Sequence, residues 1–375
     1  MSRELGGFMS IDTTTADKLQ EQIQYKIDNK TKPRGALGQL ESLAAQLCSI
    51  QNTLTPVLAA PTIVVFAADH GLAREAISAY PREVSAQMTY NILAGGAGIN
   101  VFAGQHNIEV LLVDAGIDWP EARPEGMIDH WMGPGTNNCL EGDALSAREL
   151  EECLAAGASV VDHNVNPLCT VLGFGELGIG NTSSASLLMN ALTDIPLPQC
   201  VGPGTGLVGA GLAKKLAILG SVRAGHPHPK DALETLQMFG GFEIAQMVGA
   251  MLRAFATGRI LLIDGFVASA ALLAANALNP GIIEHAIFCH QSGEPGHARL
   301  LDFLGAQPLI DLGMRLGEGS GCAVAYPLLV SAVAFLQNMA SFEEAGVSTG
   351  EPEAQADEPE AQAEEPEPQT RKTVT

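Results

Sequence analysis

The sequence predicts an α/β protein, and three observations carry that expectation. Hydrophobic residues make up 46% of the 375 and aromatic residues only 5%, with alanine, glycine and leucine abundant, which suits a well-buried core of sheet and helices. Short, continuous apolar runs of buried-strand type recur along the chain between helix-compatible segments. Three of those runs finish in an acid and a glycine, at the edge where open α/β sheets place their ligands. The length allows one large domain and a smaller one.

Residues 11–55 read as helices. Lys18 to Ile27 is polar and amphipathic, and Gly38 to Gln51 carries Leu40, Leu43, Ala44, Leu47 and Ile50 at helical spacing. The basic turn between them, Thr31 to Gly38, reads by itself as a solvated connector. Pro61 to Ala67 is a buried strand that ends in Asp69-His70-Gly71. Asp beside His suggests a metal or an acid/base pair, but no further ligand sits at metal spacing. Asp69 is therefore read as a ligand-binding or orienting group. Ser78 to Met88 turns through Pro81 into a helix reaching about Phe102, where Gly95-Gly96-Ala97-Gly98 permits close packing or a break. Glu109 to Val113 is a second buried strand, ending in Asp114-Ala115-Gly116. Residues 118–145 hold both tryptophans and read as a long loop or lid. Ser146 caps a helix to Ala156.

The stretch Leu172 to Ser184 follows, with four glycines in the eight residues from Gly173 to Gly180. An apolar run, a glycine-rich turn and a helix start opened by Asn181, Thr182 and Ser183 can cradle an anion. Glycines allow close backbone approach, and the helix start offers unpaired N–H groups and a positive dipole end. The same pattern occurs in α/β turns that bind nothing, and both readings stay open on local pattern alone. Gly173, Gly175 and Gly178 fit a dinucleotide fingerprint, but no ribose-binding acid follows about 20 residues on, and there is no G-x-x-x-x-G-K-[ST]. Glu176 inside the stretch is odd for a plain phosphate site and points to chemistry or to a cationic or N–H-bearing ligand group.

A second small-residue turn, Val201 to Gly206, leads into a helix from Leu207 to Leu219. Its Lys214 and Lys215 either reach a phosphate or line a solvated face. Gly240-Gly241 opens a helix to about Thr257. Arg259 to Ile263 is a third strand, ending in Asp264-Gly265, and Ala286 to Cys289 a fourth, leading into His290 to His297; neither of those histidines has metal spacing, and each reads as a hydrogen-bonding residue. Met314 to Gly321 sets Glu318 among glycines before an apolar helix from Cys322 to Leu336. Beyond Gly346 the Pro/Glu/Ala/Gln repeat cannot build a core and should be disordered.

The net charge is −22, of which −8 belongs to the stretch from Glu343 onward, leaving −14 on the body. Nucleic-acid binding is not expected, since no basic stripe exists to displace counterions. No apolar run of about 18 residues marks a membrane span, and the N-terminus lacks a signal-peptide pattern. Seven scattered cysteines without C-x-x-C read as reduced cytoplasmic thiols. No metal or cofactor is expected.

Several motifs in one order mark a family. Lys32-Pro33-Arg34-Gly35-Ala36-Leu37-Gly38, Ala67 to Gly71, Gly175 to Thr182, Gly204-Thr205-Gly206, Gly240 to Ala245, His290-Gln291-Ser292 with Glu294 to His297, and Leu316 to Gly321 together resemble the nicotinate-nucleotide–dimethylbenzimidazole phosphoribosyltransferases. The resemblance runs to about Gly346. It implies a Rossmann-like parallel sheet flanked by helices over residues 59–315. It also implies a small helical domain made from 1–58 and 316–345, leaving 346–375 as the disordered tail. It implies a homodimer that moves the 5-phosphoribosyl group from nicotinate mononucleotide to 5,6-dimethylbenzimidazole, giving α-ribazole 5′-phosphate and nicotinate.

By the same resemblance Glu318 is the general base and Glu176 a second active-site carboxylate. Gly178, Ile179, Gly180, Asn181, Gly204, Thr205, Gly206 and Lys215 hold the phosphate and ribose. Tyr80, Gln87 and Leu316 line the base pocket, with Asp69 and Asp264 as orienting groups. The motifs around Tyr80-Pro81 and Pro203 vary in the family. The chemistry is consistent with these residues: a pyridinium leaves as a neutral ring without a metal, and a carboxylate relieves the charge that builds on the attacking benzimidazole. A catalytically silent nucleotide binder and a hydrolase in which Asp69-His70 activates water are the rival readings.

Overall fold

In the computed structural model, which describes residues 13–348, six strands form one wholly parallel sheet. They are β1 (Thr62–Ala68), β2 (Glu109–Gly116), β3 (Ile128–Asp129), β4 (Val171–Leu177), β5 (Ile260–Ile263) and β6 (Ala286–Phe288). Their order across the sheet is β3-β2-β1-β4-β5-β6. This is the doubly wound arrangement, in which the chain reverses direction between β1 and β4 and opens a crevice at the strands' carboxyl ends. Disorder beyond residue 348 was expected for the tail and lies outside the described residues.

Every residue of β1 is buried, as a central strand covered on both faces requires. Its side chains alternate between two cores. Val64, Phe66 and Ala68 point into one, with Phe174, Leu187, Met247 and Leu272. Ile63, Val65 and Ala67 point into the other, where Ile23, Leu43 and Leu47 from the N-terminal helices meet Ala325 and Leu329 of the helix Ser320–Asn338. The helices at the two chain ends thus share one core with the sheet face. Contrary to the expectation of no apolar run of that length, Ser320–Asn338 is long and apolar enough to cross a membrane by composition. Half of its apolar window is buried inside the protein, as for a core helix.

Four expectations are corrected. The helix expected to reach Phe102 is two helices, Val84–Leu93 and Gly98–Gln105, because Gly95 takes a positive φ of 78° and ends the first. The strand before the glycine stretch runs on through it to Leu177, so Gly173 and Gly175 are strand residues. Residues 118–145 wrap the outer edge of β2, with Trp119 Nε1 donating to Asp114 Oδ2 (2.7 Å) and Trp131 Nε1 to the Ile117 carbonyl (2.9 Å). The helix after the second glycine turn begins at Ala210, since Gly209 holds a φ of 53°.

The helices Ala147–His163 and Phe242–Ala256 cross so closely that glycine is required at the contact. A Cβ on Gly157 would collide with the Gln246 carbonyl oxygen, and one on Gly249 with the Leu154 carbonyl. Gly157→Ala is therefore expected to lower stability by about 3 kcal/mol, measurable as a shifted midpoint in urea denaturation.

Candidate active site

Where β4 ends and the turns after β5 and β6 begin lies a cavity of about 650 Å³. Glu176, Gly178, Ile179, Asn181, Gly204, Thr205, Tyr80, Leu316 and Glu318 all line it. The two glutamates arrive by separate routes. Glu176 is next to last in β4, with Gly317 packed against its carboxylate. Glu318 sits in the turn before the helix Ser320–Asn338, within a run of three positive φ values: Gly317 (83°), Glu318 (64°) and Gly319 (82°). A non-glycine residue held there costs of order 1 kcal/mol or more, so surrounding contacts must impose it.

Those contacts are visible. The Glu318 N–H donates to the Glu176 carbonyl (3.2 Å). Asp264, at the end of β5, accepts from the Gly319 amide (3.1 Å) and the Gly321 amide (2.6 Å). Gly175 has no side chain to keep the turn off the sheet: a Cβ there would stand 2.5 Å from the Gly319 nitrogen. The turn is thus seated on β4 and clamped by a carboxylate. The Glu318 side chain is 3% exposed and its Oε2 meets the Ile99 amide at 3.4 Å, at the start of the helix Gly98–Gln105.

Burial raises the pKa of Glu318 above the ordinary carboxylate value, opposed by that Ile99 N–H. Glu176 is pushed further, to about 8, first by burial and then by the charges of Asp264, Glu243 and Glu318, against a hydrogen bond from Asn181. The surroundings of Glu176, buried among three other acids, favour its protonated form, whereas burial is the one influence that raises Glu318. Burial also lifts Asp264 to about 7, against the amides it holds.

Lys215 lies behind the cavity wall, 1% exposed, and donates to Thr182 Oγ1 (3.1 Å) and the Gly202 carbonyl (3.1 Å). Burial lowers its pKa to about 8, which Glu294 opposes. Gly180 and Gly206, with φ of 105° and 120°, shape the two turns but do not line the cavity. The Ile179 amide is already engaged, donating to Ser85 Oγ (3.0 Å). Thr205 Oγ1 shares a hydrogen bond with Ser78 Oγ (2.8 Å) and accepts from the Ala79 amide (3.1 Å), tying the two sides of the mouth together.

Two residues fall elsewhere. Gln87 is exposed and does not line the cavity, which meets the face of its helix carrying Val84, Ser85 and Met88. Asp69 is buried beneath the site, where its Oδ2 accepts from the Asp118 amide (2.9 Å), binding β1 to the loop after β2. His70 is locked to Glu243, Nε2 to Oε1 at 2.6 Å, and is absent from the lining, so the water-activating Asp69-His70 pair has no geometry to support it. No group of three or more potential metal ligands occurs among the described residues. None of residues 118–145 lines the cavity.

Sequence reasoning gave no role to Ser85, Met88, Thr182, Phe266, Ser292, Glu294 or Arg315, all of which line the cavity. Ser85, Glu294 and Arg315 lay inside or beside quoted motifs, and their polar side chains beside glycine turns were the available signal.

The phosphoribosyltransferase family pattern matches residues 13–347. A nicotinate-nucleotide–dimethylbenzimidazole phosphoribosyltransferase of Cupriavidus taiwanensis is 50% identical over 336 residues, 90% of this chain and 97% of that protein. The protein of that name from Parabacteroides distasonis is 44% identical over 88% of this chain and 96% of its own. A crystal structure of CobT from Thermus thermophilus superposes with a TM-score of 0.85 at 39% identity, covering 89% of this chain and all of that one.

Removing the Asp264 clamp leaves the Gly319 and Gly321 amides without their partner. Asp264→Ala should cost about 2–4 kcal/mol and speed hydrogen exchange at those two amides selectively, read by exchange mass spectrometry.

Proposed function

The chain belongs to the nicotinate-nucleotide–dimethylbenzimidazole phosphoribosyltransferase family, and on that premise we propose that it moves the 5-phosphoribosyl group of nicotinate mononucleotide to 5,6-dimethylbenzimidazole. The products are α-ribazole 5′-phosphate and nicotinate. The observation that carries the reading is the convergence of Glu176 and Glu318, 142 positions apart, on one cavity bounded by glycine turns.

Charge and geometry support the following roles. The pyridinium of the donor leaves as a neutral ring. A benzimidazole nitrogen attacks the ribose C1 from the opposite face, so a β-nucleotide gives an α-nucleotide. Positive charge grows on the attacking ring, and Glu318 removes the proton from its other nitrogen, worth about 10²–10⁴ in rate. Glu176, protonated, donates a hydrogen bond and adds no negative charge beside the phosphate. Gly178, Asn181, Gly204 and Thr205, with Lys215 behind them, hold the 5′-phosphate and fix C1 against the ring, which lowers the entropic part of the barrier, while Gly180 and Gly206 shape the turns. Tyr80 and Leu316 flank the base slot, joined by Val84 and Met88 in place of Gln87. Asp69 and Asp264 act as orienting groups, the second by holding the Glu318 turn. The N-terminal helices Thr13–Asp28 and Gln39–Ile50 and the helix Ser320–Asn338 serve as a helical unit that delivers Glu318 to the sheet edge.

We place the enzyme in the cytoplasm as a homodimer. Seven buried thiols suit a reducing compartment. Tyr80 and Leu316 at the cavity, with Val208 and Leu312 near it in sequence, are all more than half exposed and suit a covered face. Sedimentation equilibrium should return twice the 39.1 kDa chain mass; a monomer at micromolar concentration would refute the dimer.

Incubation with the two substrates, without added metal, should yield α-ribazole 5′-phosphate, identified by chromatography and mass spectrometry. Glu318→Gln should lower kcat about 10²–10⁴-fold, and intact turnover in that variant would sink the assignment of the base. The pH profile of kcat/KM reports the free enzyme. Glu318 must be ionised, so activity should rise with pH above 4.5, the ordinary glutamate value. Lys215 must be protonated, so activity should fall as pH passes about 8.

A further inference from the structure

One acid in the cavity has no use in the reaction as derived. Glu294 lines the cavity, is 5% exposed, and neither carboxylate oxygen has a hydrogen-bond partner. It is the N-cap residue of the helix Pro295–Leu304, yet its side chain does not bond that helix's amides. Lys215 and Arg315 favour its ionised form against burial, and so does the Gly204 amide, but none completes a hydrogen bond to it. A buried acid left so bare loses free energy unless something absent from the protein alone completes it.

The fold holds this carboxylate in place. The Ser292 amide donates to His297 Nδ1 (2.8 Å), and His297 Nε2 lies 2.9 Å from Ser269 Oγ. The Gly293 amide donates to the Met314 carbonyl (2.8 Å), and the His297 amide to the Glu294 carbonyl (2.9 Å). On the opposite turn, Gly202 leaves space: a Cβ there would collide with Glu294 Oε2. Gly204 in the same turn abuts the Lys215 ammonium, which a Cβ would approach to 3.3 Å. The acid therefore sits next to the proposed phosphate seat, where a phosphate itself would be repelled. What an adjacent carboxylate can accept is a hydroxyl proton.

We propose that Glu294 accepts hydrogen bonds from the 2- and 3-hydroxyls of the ribose, making it the residue that selects ribosyl over deoxyribosyl phosphates. The inference rests on the reading of the cavity as a phosphoribosyl site. A hydroxyl bonded to a carboxylate strengthens binding by about 10–100-fold. Removing either partner should forfeit that factor, and removing both should forfeit it once.

Calorimetric titration tests this with ribose 5-phosphate, 2-deoxyribose 5-phosphate and 3-deoxyribose 5-phosphate. Wild-type protein should bind the first at least 10-fold more tightly than one or both of the others. Glu294→Gln should bind all three with the weaker affinity; Glu294→Asp, a second variant should the first fail to fold, should narrow the gap. The proposal is overturned if wild type binds all three alike or binds ribose 5-phosphate not at all. It is overturned also if the folded variant loses affinity equally for all three, the mark of a charge effect on Lys215. Turnover is assayed separately. Sugar discrimination without α-ribazole 5′-phosphate formation would sink the reaction and spare the sugar contact; product formation without discrimination would do the reverse.

Discussion

The site depends on the seating of one turn against one strand. Gly317 to Gly319 lie on β4 at Gly175, with the Glu318 amide on the Glu176 carbonyl and the Gly319 and Gly321 amides on Asp264. The two glutamates reach the same cavity because their backbones are in direct contact. Three segments distant in sequence, at 175–176, 264 and 317–321, are joined by three hydrogen bonds. The sheet supplies the rigidity, since β4 and β5 are paired in register from Val171 to Phe174.

Electrostatics then sets two like residues apart. Glu176 is surrounded by other acids and held protonated to about pH 8, whereas burial alone raises Glu318, beside an amide at a helix start. Paired titratable groups pushed apart by their surroundings mark acid and base roles. The same division is compatible with a carboxyl group beside the phosphate seat proposed above, since burial and the neighbouring acids favour its uncharged form.

Much of this was legible in the sequence. The buried strands, the acid-plus-glycine edges and the position of Glu318 before an apolar helix all followed from local pattern, and the recurrence of small-residue turns located the cavity walls. What local pattern could not give is why the glycines are there. Gly173 and Gly175 read as part of a loop cradling a ligand, but they are strand residues whose missing side chains admit Ile63 and the Glu318 turn. Close approach of backbone to backbone is a tertiary requirement that leaves the same local signature as close approach to a ligand. The expectation for Gln87 came from the resemblance, and the helix Val84–Leu93 instead presents Val84, Ser85 and Met88 to the cavity, one helical face that leaves Gln87 exposed.

The left-handed backbone at Glu318 has a consequence of its own. Glycine would occupy that conformation more comfortably than any side-chain-bearing residue. On the role proposed for Glu318, the substitution that abolishes proton removal would therefore also relax the chain and relieve a carboxylate of its desolvation. At this single torsion, durability and turnover pull in opposite directions, and a screen for heat resistance alone would drift toward an inert protein.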